Sequence, residues 1–373
     1  MPGSDVLIVG GGLHGCSAAL HLAMRGASVT LVEKDYPGRH ASGVNAGGVR
    51  SLGRHLAEVP LSLASMELWH RIEDLVDDDC GFESHGQVKL AESEADLEKC
   101  RARAEELRRA GFDHEEVIGE DELRDLVPAA APHVVGGLVS RGDGAALPFR
   151  TVQAFRNKAE RLGAQFVEGV AVDRIRRRGR IFVAELSDGR EFMAPVLVNA
   201  AGAWAGRIAK MFGEVVPLEV VAPMLMITER RPPFLRPVVG ATSRTLSFKQ
   251  FENGTVLIGG GYLGKAEPDS NRTIVDYAKL GENARTVRDL FPVMHDARIV
   301  RAWAGIEARM ADGIPVIGPS ATEDGLFHSF GYSLHGFQLG PICGSIVAEL
   351  VSTGHTNLPI APFSIGRFAS HAA

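Results

Sequence analysis

The sequence is poor in the residues that mark several common protein classes. It has only 4 cysteines in 373 residues (Cys16, Cys80, Cys100 and Cys343), and they lie far apart with no C-x-x-C pair. This spacing argues against a disulfide framework, a zinc site and an iron–sulfur cluster. We therefore expect reduced, mostly buried thiols and no bound metal.

Long apolar runs and an excess of positive charge are also missing. No stretch approaches the roughly 18 apolar residues that a membrane-spanning helix needs, and the first apolar segment, 6–9, is short and runs into glycines. The formal net charge is −6, and the arginine-rich stretch 174–178 is too short to indicate a nucleic-acid partner. We expect a cytoplasmic protein with no transmembrane segment and no nucleic acid bound.

What is present is the composition of an ordinary globular protein with the pattern of a β-α-β unit at its start. The chain is 45% hydrophobic and 23% charged, enough for two closely joined domains with a sizeable core. Residues 5–9 predict a buried strand, 10–15 a glycine turn, 16–25 a helix and 28–32 a second strand. Such a unit implies a parallel sheet.

The glycine turn, Gly10-Gly-Gly-Leu-His-Gly15, satisfies G-x-G-x-x-G. Glycine is so common here, 43 of 373 residues, that this spacing arises by chance in roughly every second such chain. Its context is more specific, because Glu33 ends the second strand about 20 residues on, where an acidic side chain can accept both ribose hydroxyls. The pyrophosphate would sit at the helix N-terminus. The pattern predicts a dinucleotide without a 2′-phosphate and leaves FAD and NAD open.

The rest of the chain alternates between helical and strand-rich segments. Helices are predicted over 92–111 and 149–162, and another starting near Pro341. Short strands are predicted over 165–172, 174–178, 181–186 and 196–199. Segment 217–309 is rich in alternating strands, with a turn at Glu252-Asn-Gly254, and predicts a largely antiparallel sheet. No internal repeat or long linker is present.

Further motifs resemble those of the D-amino-acid-oxidase (DAO) family of FAD enzymes. They are Gly38-Arg-His-Ala-Ser42 with the following Gly43-Val-Asn-Ala-Gly-Gly48, Leu197-Val-Asn-Ala-Ala-Gly-Ala-Trp-Ala205, Trp303-Ala-Gly305 with Asp312-Gly-Ile-Pro-Val-Ile-Gly318, and Gly331-Tyr-Ser-Leu-His-Gly-Phe-Gln-Leu-Gly-Pro341. Together with the glycine turn they span residues 5–350 in the family's order. The resemblance implies FAD in preference to NAD.

The resemblance also implies a fold. We expect a mixed α/β (α+β) protein, similar to glycine oxidase, in which a Rossmann-like FAD-binding domain is interleaved with an antiparallel-sheet substrate domain. The discontinuous FAD-binding domain would comprise 1–80, 145–215 and 310–373. The substrate-binding domain would comprise 81–144 and 216–309.

Within the family the chain resembles the branch formed by glycine oxidase and the sarcosine oxidase β-subunits, and more narrowly the β-subunits of opine oxidases and D-hydroxyproline dehydrogenases. Ile306-Glu-Ala-Arg309, His335-Gly-Phe-Gln-Leu-Gly340 and the tail Pro362-Phe with Arg367-Phe368 carry this narrower resemblance. It implies FAD-dependent oxidation of the C–N bond of a small amino acid or N-substituted amino acid, such as D-hydroxyproline, an opine, sarcosine or glycine. Hydride would pass to flavin N5, and water would hydrolyse the imine.

Two alternatives remain open from the sequence. The chain could be a structural FAD-containing subunit of a multi-subunit dehydrogenase, or an NAD-dependent dehydrogenase that shares only the N-terminal unit. The resemblance to multi-subunit dehydrogenases further implies partner subunits or a quinone-linked electron acceptor in preference to oxygen.

The glycine turn and the resemblance together predict the residues that contact FAD. They are Gly10, Gly12, Leu13, His14, Gly15, Glu33, Lys34, Ser42, Asn45, Ala46, Gly47, Gly48, Val172, Ala201, Gly202, Trp204, Gly305, His335, Gly336, Phe337 and Gln338. His335 and Gln338 are expected to stabilise negative charge on the reduced flavin, with a structural hydrogen bond as the alternative for His335.

Candidate substrate-side residues follow from charge and position. Arg50 is expected to bind a substrate carboxylate, or else to form a structural ion pair. Glycine oxidase has its carboxylate-binding arginine where this chain has Glu307, which would instead hold an amine or another cationic group. Arg309 or Arg301 is a candidate for the displaced cation. Gln250, next to Lys249, is a candidate for the substrate wall, with ordinary sheet surface as the alternative.

Overall fold

The computed structural model describes residues 3–371. The helices in this part of the chain are α1 (Leu13–Met24), α2 (Ala41–Val44), α3 (Val59–Trp69), α4 (Ile72–Val76), α5 (Glu94–Arg109), α6 (Glu120–Leu126), α7 (Pro148–Arg161), α8 (Ala205–Met211), α9 (Tyr277–Leu290) and α10 (Gly336–Thr353). Short 3₁₀ helices lie at Leu56–Glu58, Gly202–Trp204, Pro292–Met294, Ala361–Phe363 and Ile365–His371.

The strands follow the chain in this order: β1 (Val6–Val9), β2 (Val29–Val32), β3 (Gly48–Val49), β4 (Gln87–Ala91), β5 (Glu116–Ile118), β6 (Gly136–Ser140), β7 (Gly144–Ala145), β8 (Gln165–Val167), β9 (Val172–Arg178), β10 (Ile181–Leu186), β11 (Glu191–Ala194), β12 (Val196–Asn199), β13 (Leu218–Thr228), β14 (Val238–Ala241), β15 (Ser247–Gln250), β16 (Val256–Gly259), β17 (Leu263–Glu267), β18 (Arg272–Ile274), β19 (Ile299–Ala304), β20 (Glu307–Met310), β21 (Val316–Pro319) and β22 (Leu326–Phe330).

A six-stranded sheet is built around the N-terminal β-α-β unit. Its order is β21-β22-β12-β1-β2-β8, and its pairs are parallel except β21 with β22. All four residues of β1 and of β2 are buried, as expected for strands covered on both faces. The predicted parallel sheet is confirmed. A three-stranded antiparallel sheet, β9-β10-β11, shares an apolar core with residues of β1 and β12.

A second, larger sheet of eleven strands has mostly antiparallel pairs. Its path is β18-β17-β13-β16-β15-β14-β4-β6-β5, and β19 and β20 also pair with β13. Its core contains Phe248 stacked on Phe291, with ring centroids 4.5 Å apart. The strands of this sheet come from 87–140 and 218–310, which agrees with the predicted mixed α/β class. The exact domain boundaries stay a prediction.

Helix α10 begins at Gly336, five residues before the predicted start at Pro341. Proline favours the first turn of a helix and glycine disfavours helix, so the sequence pattern pointed to the later start. The glycines serve close packing of α10 on α1. A methyl group built on Gly340 would lie 2.3 Å from Leu13 Cδ2, and one on Gly344 would lie 2.1 Å from Ser17 Oγ. This contact brings the start of α10 to the glycine turn.

Candidate active site

A cavity of about 870 Å³ is lined by residues of both sheets. One side is formed by the glycine turn, the end of β2, the loop 38–50 and the turn 200–204. The other side is formed by parts of β4 and β13 and by residues 305–308, with 329–337 at the start of α10. This volume lies in the upper part of the range of about 300–1,000 Å³ typical of ligand sites.

The glycine turn leaves no room for side chains at its key positions. Gly10 has φ +111°, and a methyl group there would lie 2.3 Å from the carbonyl oxygen of Ala200. A methyl group on Gly15 would lie 1.9 Å from the Gly10 carbonyl oxygen, and one on Gly12 would lie 2.9 Å from Ser42 Oγ. The turn therefore requires glycine for close backbone approach.

Glu33 directly follows β2 and is buried, with 8% of its surface exposed. Its Oε2 accepts a hydrogen bond from Gly11 N–H at 2.6 Å, and its Oε1 accepts one from Asp35 N–H at 2.9 Å. Burial raises the pKa of the carboxyl, while these two hydrogen bonds act against that shift. Each oxygen can accept a further hydrogen bond, so the carboxylate is held ready for a donor from the cavity.

These features fit a dinucleotide at this end of the cavity. Gly12 offers no side chain to cap α1, although Ser42 Oγ accepts from Leu13 N–H at 2.9 Å. A helix N-terminus beside close-packed glycines suits a pyrophosphate, and the buried Glu33 suits a ribose diol. The residues present therefore fit FAD: the turn would hold its phosphates and Glu33 its adenosine ribose.

The loop 38–48 is fixed by its own hydrogen bonds. Asn45 Nδ2 donates to the carbonyls of Ala41 and Ser42, and Asn45 Oδ1 accepts from Gly47 N–H at 2.7 Å. Trp303 Nε1 donates to the Val44 carbonyl at 2.9 Å. The side chain of Asn45 thus fixes the shape of the loop. Gly38, Gly47 and Gly48 of this loop line the cavity.

Lys249 lies against this loop. Its Nζ would be 3.1 Å from a methyl group built on Gly47, and it sits 4.6 Å from the centre of the Phe251 ring. Strand β15 holds Lys249 in the interior, with 5% of its surface exposed. Burial lowers the pKa of its amine to about 7. Lys249 is absent from the residues that line the cavity.

Two arginines line the opposite end of the cavity, where the chain leaves the loop. Arg50 Nη1 donates to the Leu52 carbonyl at 2.6 Å, and burial lowers the pKa of its guanidinium. Arg54 Nη1 donates to the His335 carbonyl at 2.8 Å and its Nη2 to Gln338 Oε1 at 3.0 Å. Neither arginine forms a direct ion pair in the described residues. Whether Arg50 binds a substrate carboxylate stays a prediction.

His335 is held by hydrogen bonds on both ring nitrogens. Nδ1 lies 2.8 Å from the Ser333 carbonyl, and Nε2 lies 2.7 Å from Glu58 Oε1. A carbonyl only accepts, so Nδ1 carries a proton, and an ionised Glu58 requires a second proton on Nε2. Burial lowers the pKa of His335, and the His335 contact lowers the pKa of Glu58 against the effect of burial. The ring is thus fixed in place at the start of α10.

Glu307 is the acidic group of this end of the cavity. Its Oε1 accepts a hydrogen bond from Leu334 N–H at 2.8 Å, and no cationic side chain pairs with it in the described part of the chain. Burial raises the pKa of this carboxyl to about 7. A half-buried carboxylate without a cation is stabilised by a positive group that enters the cavity.

Most of the predicted site residues line the cavity. They are Gly10, Gly12, Leu13, His14, Glu33, Lys34, Ser42, Asn45, Ala46, Gly47, Gly48, Arg50, Val172, Ala201, Gly202, Trp204, Gly305, Glu307, His335, Gly336 and Phe337. Their contact with FAD or substrate stays a prediction. His14 stacks on Tyr332, with centroids 3.6 Å apart, and burial lowers its pKa to about 3. Lys34 Nζ lies 3.5 Å above the Trp204 ring.

Two predicted substrate-side residues lie elsewhere. The Gln250 amide is engaged with the loop after β13, accepting from Phe234 N–H at 2.9 Å and donating to the Pro232 carbonyl at 3.0 Å. Arg309 forms an ion pair with Glu219, its cross-strand neighbour in β13. Both side chains are satisfied outside the cavity, so neither is placed to meet the substrate. Arg301 is exposed on β19 and also does not line the cavity.

Two predicted cofactor residues are also displaced from the cavity wall. Gly15 faces the Gly10 carbonyl inside the turn. Gln338 is fully buried in α10, where its Oε1 accepts from Ser62 Oγ and its Nε2 donates to the Ser62 carbonyl. These residues support the cavity from behind.

Sequence reasoning missed several polar residues of the wall. Arg54 is the one that the sequence could most readily have predicted, because it is a second arginine four residues after Arg50 in the same loop. Gln87 and Lys89 on β4, and Tyr332 beside His14, also line the cavity. Nothing in the ordinary alternating strand 87–91 marks it as part of a site.

Two general properties of the chain bear on the class of protein. All four cysteines are buried and unpaired, as predicted. Across residues 3–371, the helices are too short or too polar to cross a bilayer, and no cluster of at least three histidine, cysteine, aspartate or glutamate side chains is arranged to hold a metal ion.

The glycine cradle, Glu33 and the fold define a dinucleotide-binding enzyme, and comparison with known proteins gives its family. Residues 5–350 match the model of the DAO family, described as FAD dependent oxidoreductase. The chain therefore belongs to this family and is an FAD-dependent oxidoreductase. The match decides for FAD against NAD, and the predicted family, fold class, cofactor and enzyme class are confirmed.

Three known proteins illustrate the similarity. The beta subunit of sarcosine oxidase from Rhizobium meliloti (strain 1021) is 28% identical over 98% of this chain and 89% of its own length. An opine oxidase subunit from Rhizobium meliloti is 28% identical over 99% of both chains. The crystal structure of glycine oxidase from Geobacillus kaustophilus has a TM-score of 0.89 at 26% identity, covering 98% of this chain and 99% of that one.

Proposed function

We propose that this protein oxidises the C–N bond of a small amino acid or N-substituted amino acid at the end of the cavity that contains Arg50 and Glu307. The observation that carries the proposal is that two side chains of opposite charge, Arg50 and Glu307, line the same cavity. Glu307 is a half-buried carboxylate without a cation, and Arg50 is a half-buried cation without a salt-bridge partner, among residues 3–371. A zwitterionic amino acid would satisfy both.

Hydrogen bonds of Arg54 link the backbone at Arg50 to the backbone of the segment that contacts Glu307. Glu307 accepts from Leu334 N–H, the neighbouring His335 carbonyl accepts from Arg54, and Arg54 Nε donates to the Arg50 carbonyl at 3.1 Å. This arrangement supports a fixed orientation of the substrate, its carboxylate toward Arg50 and its amine toward Glu307.

Glu307 also suits the proton chemistry of an amine. Oxidation of an amine at the adjacent carbon requires the unprotonated nitrogen, so the ammonium proton must leave. A carboxylate whose pKa lies near 7 can bind the ammonium and accept this proton at neutral pH. Bound FAD would supply the two-electron acceptor for the hydrogen on that carbon. Water then hydrolyses the imine to a carbonyl product and an amine or ammonia.

The names of the relatives support this class of substrate. Sarcosine, opines and glycine are all amino acids or N-substituted amino acids, and the proteins named for them align with nearly the whole chain. Several of these relatives are named as subunits. We therefore propose that this chain also works with partner subunits or a quinone-linked acceptor. A cytoplasmic location stays a prediction, which cell fractionation would test.

The experiment is a visible spectrum of the purified protein before and after anaerobic addition of candidate substrates. Glycine, sarcosine, proline, the hydroxyproline isomers and opines form the panel. Flavin bands that bleach with at least one of these compounds support the proposal. Flavin bands that stay unchanged with every compound would instead indicate a subunit that holds FAD for a structural purpose.

A further inference from the structure

Strand β4 presents two polar side chains to the cavity at alternate positions. Gln87 and Lys89 line the cavity, whereas Val88 and Leu90 are fully buried in the core of the large sheet. This alternation follows from the period of two along a strand. Both polar residues therefore belong to the cavity wall, although neither has a place in the pairing of Arg50 and Glu307.

The Lys89 ammonium lies close to Arg50. A methyl group built on Gly53 would be 2.6 Å from Lys89 Nζ and 3.9 Å from Arg50 Nη1, so the two cations flank the same glycine. Lys89 forms no salt bridge or side-chain hydrogen bond within the described residues. The repulsion from Arg50 adds to burial in lowering the pKa of Lys89.

The carboxylates around these cations are already engaged elsewhere. Glu115 accepts from Gly53 N–H at 2.6 Å and from Arg103 Nε at 3.2 Å. Asp143 accepts from the backbone N–H groups of Ser51, at 2.7 Å, and Leu52, at 2.9 Å. These contacts hold the loop but leave Lys89 without a direct counter-ion.

Gln87 is a second polar residue of this wall with an atom that lacks a hydrogen-bond partner. The residue is 8% exposed, and its buried Oε1 has no hydrogen-bond partner in the described part of the chain. A buried amide oxygen without a partner is costly. The amide carries two N–H donors as well as this acceptor, so it can bind a polar group that also reaches Lys89.

We infer that Lys89 and Gln87, next to Arg50, form a subsite for a second acidic group, so that the substrate is an amine with two carboxylates. One carboxylate of a zwitterionic amino acid neutralises one of the two cations, and the other cation still lacks a partner. An N-carboxyalkyl amino acid or an acidic amino acid supplies the second carboxylate. This inference rests on the proposed function only for the position of the substrate's amine. The subsite for the second carboxylate does not depend on it.

Calorimetry with ligands that cannot be oxidised tests the subsite separately from the reaction. The FAD-loaded protein is titrated with malonate, succinate and glutarate, each with two carboxylates, and with valerate, which has one. We expect the best dicarboxylate to bind at least about tenfold more tightly than valerate. Lys89→Met should reduce the ratio of dicarboxylate affinity to valerate affinity by a factor of about 10–100, the range for one charge-assisted hydrogen bond.

Lys265→Met is the matched control, because Lys265 is exposed on β17, where it pairs with Glu267. It should keep the dicarboxylate preference, and so should Lys89→Arg, which retains the charge. Equal affinity for valerate and every dicarboxylate in the wild type, or an unchanged preference in a folded Lys89→Met protein, would overturn the inference. A dicarboxylate preference in a protein that no amine reduces would uphold the subsite and reject the proposed oxidation.

Discussion

The carboxylate of Glu307 accepts a hydrogen bond from the backbone N–H of Leu334 at 2.8 Å. Leu334 has φ 72° and Ser333 has φ 51°, a left-handed conformation that non-glycine residues rarely adopt. Ser333 is fixed on both sides, since its N–H donates to the Ala308 carbonyl and its Oγ accepts from Met310 N–H. Strand β20 therefore holds the loop before α10 in a strained shape that orients Glu307.

Replacing Glu307 by glutamine should weaken substrate binding. The amide keeps the size of the side chain but cannot pair with an ammonium group. We expect KM for the true substrate to rise by about 10–100-fold, the range for a charge-assisted hydrogen bond, with little change in FAD content. Steady-state kinetics and the flavin spectrum measure the two effects. The control is Glu219→Gln, because Glu219 is exposed and pairs with Arg309 away from the cavity. It should behave like the wild type.

The pH dependence of the same pair of proteins gives a further prediction. In the wild type, kcat/KM should fall as the pH drops through about 7, because Glu307 then becomes protonated and loses its charge. In Glu307→Gln this limb of the profile should disappear. An identical acidic limb in both proteins would show that Glu307 faces away from the substrate.

Replacing Glu33 by alanine should release FAD. The variant loses the acceptor for the ribose hydroxyls and also the hydrogen bond from Gly11 N–H. We expect FAD affinity to fall about a hundredfold, which a desalting column followed by an absorbance spectrum would reveal. Glu160→Ala, an exposed residue of α7, is the control. Full retention of flavin in folded Glu33→Ala would remove Glu33 from the cofactor site.

Lys249 should destabilise the fold in a pH-dependent way. Burial lowers its pKa in the folded state to about 7 from the ordinary 10.5, so the charged form opposes folding. This penalty, about a few kcal/mol, is fully present below pH 7 and fades as the pH rises toward 10.5, where the amine is neutral in both states. Lys249→Met should therefore raise the Tm of the apoprotein by several degrees at about pH 6 and by little at about pH 10. The same Tm difference at both pH values would contradict this account.

The electron acceptor should be a carrier and not oxygen. Strand β16, which pairs with β15, has only apolar, buried side chains. Lys249 lies behind the loop 45–48, and its lowered pKa leaves its amine only partly charged at neutral pH. Without a fixed charge there, reduced flavin should react slowly with oxygen. Peroxide formed as fast as an artificial dye is reduced would make this protein a simple oxidase.

The elements that the sequence predicts well depend on local patterns. The β-α-β unit and α7 follow from apolar periodicity, glycine and capping signals within a few residues. Glu33 is found for the same reason, because its distance from the glycine turn is set by the length of one helix. The resemblance to the DAO family predicts the remaining motifs and their order along the chain.

The substrate-side wall depends on long-range pairing, which the sequence alone does not reveal. Glu58 meets His335 across 277 positions of the chain, and Lys89 reaches Gly53 only because β4 borders the loop. Arg309 was misplaced because the register of β20 against β13 sets it opposite Glu219. Such contacts are fixed by strand register and loop closure, which no short motif encodes.

The most direct test of the proposed oxidation is the product stoichiometry of a single anaerobic turnover. The substrate that bleaches the flavin is mixed with a limiting amount of FAD-loaded protein, and the carbonyl and amine products are measured after quenching. Oxidation at a C–N bond predicts, for each FAD reduced, one carbonyl product and one amine or ammonia, or one cyclic imine with its ring-opened form when the substrate is proline or hydroxyproline. Bleaching without an imine or carbonyl product would contradict it.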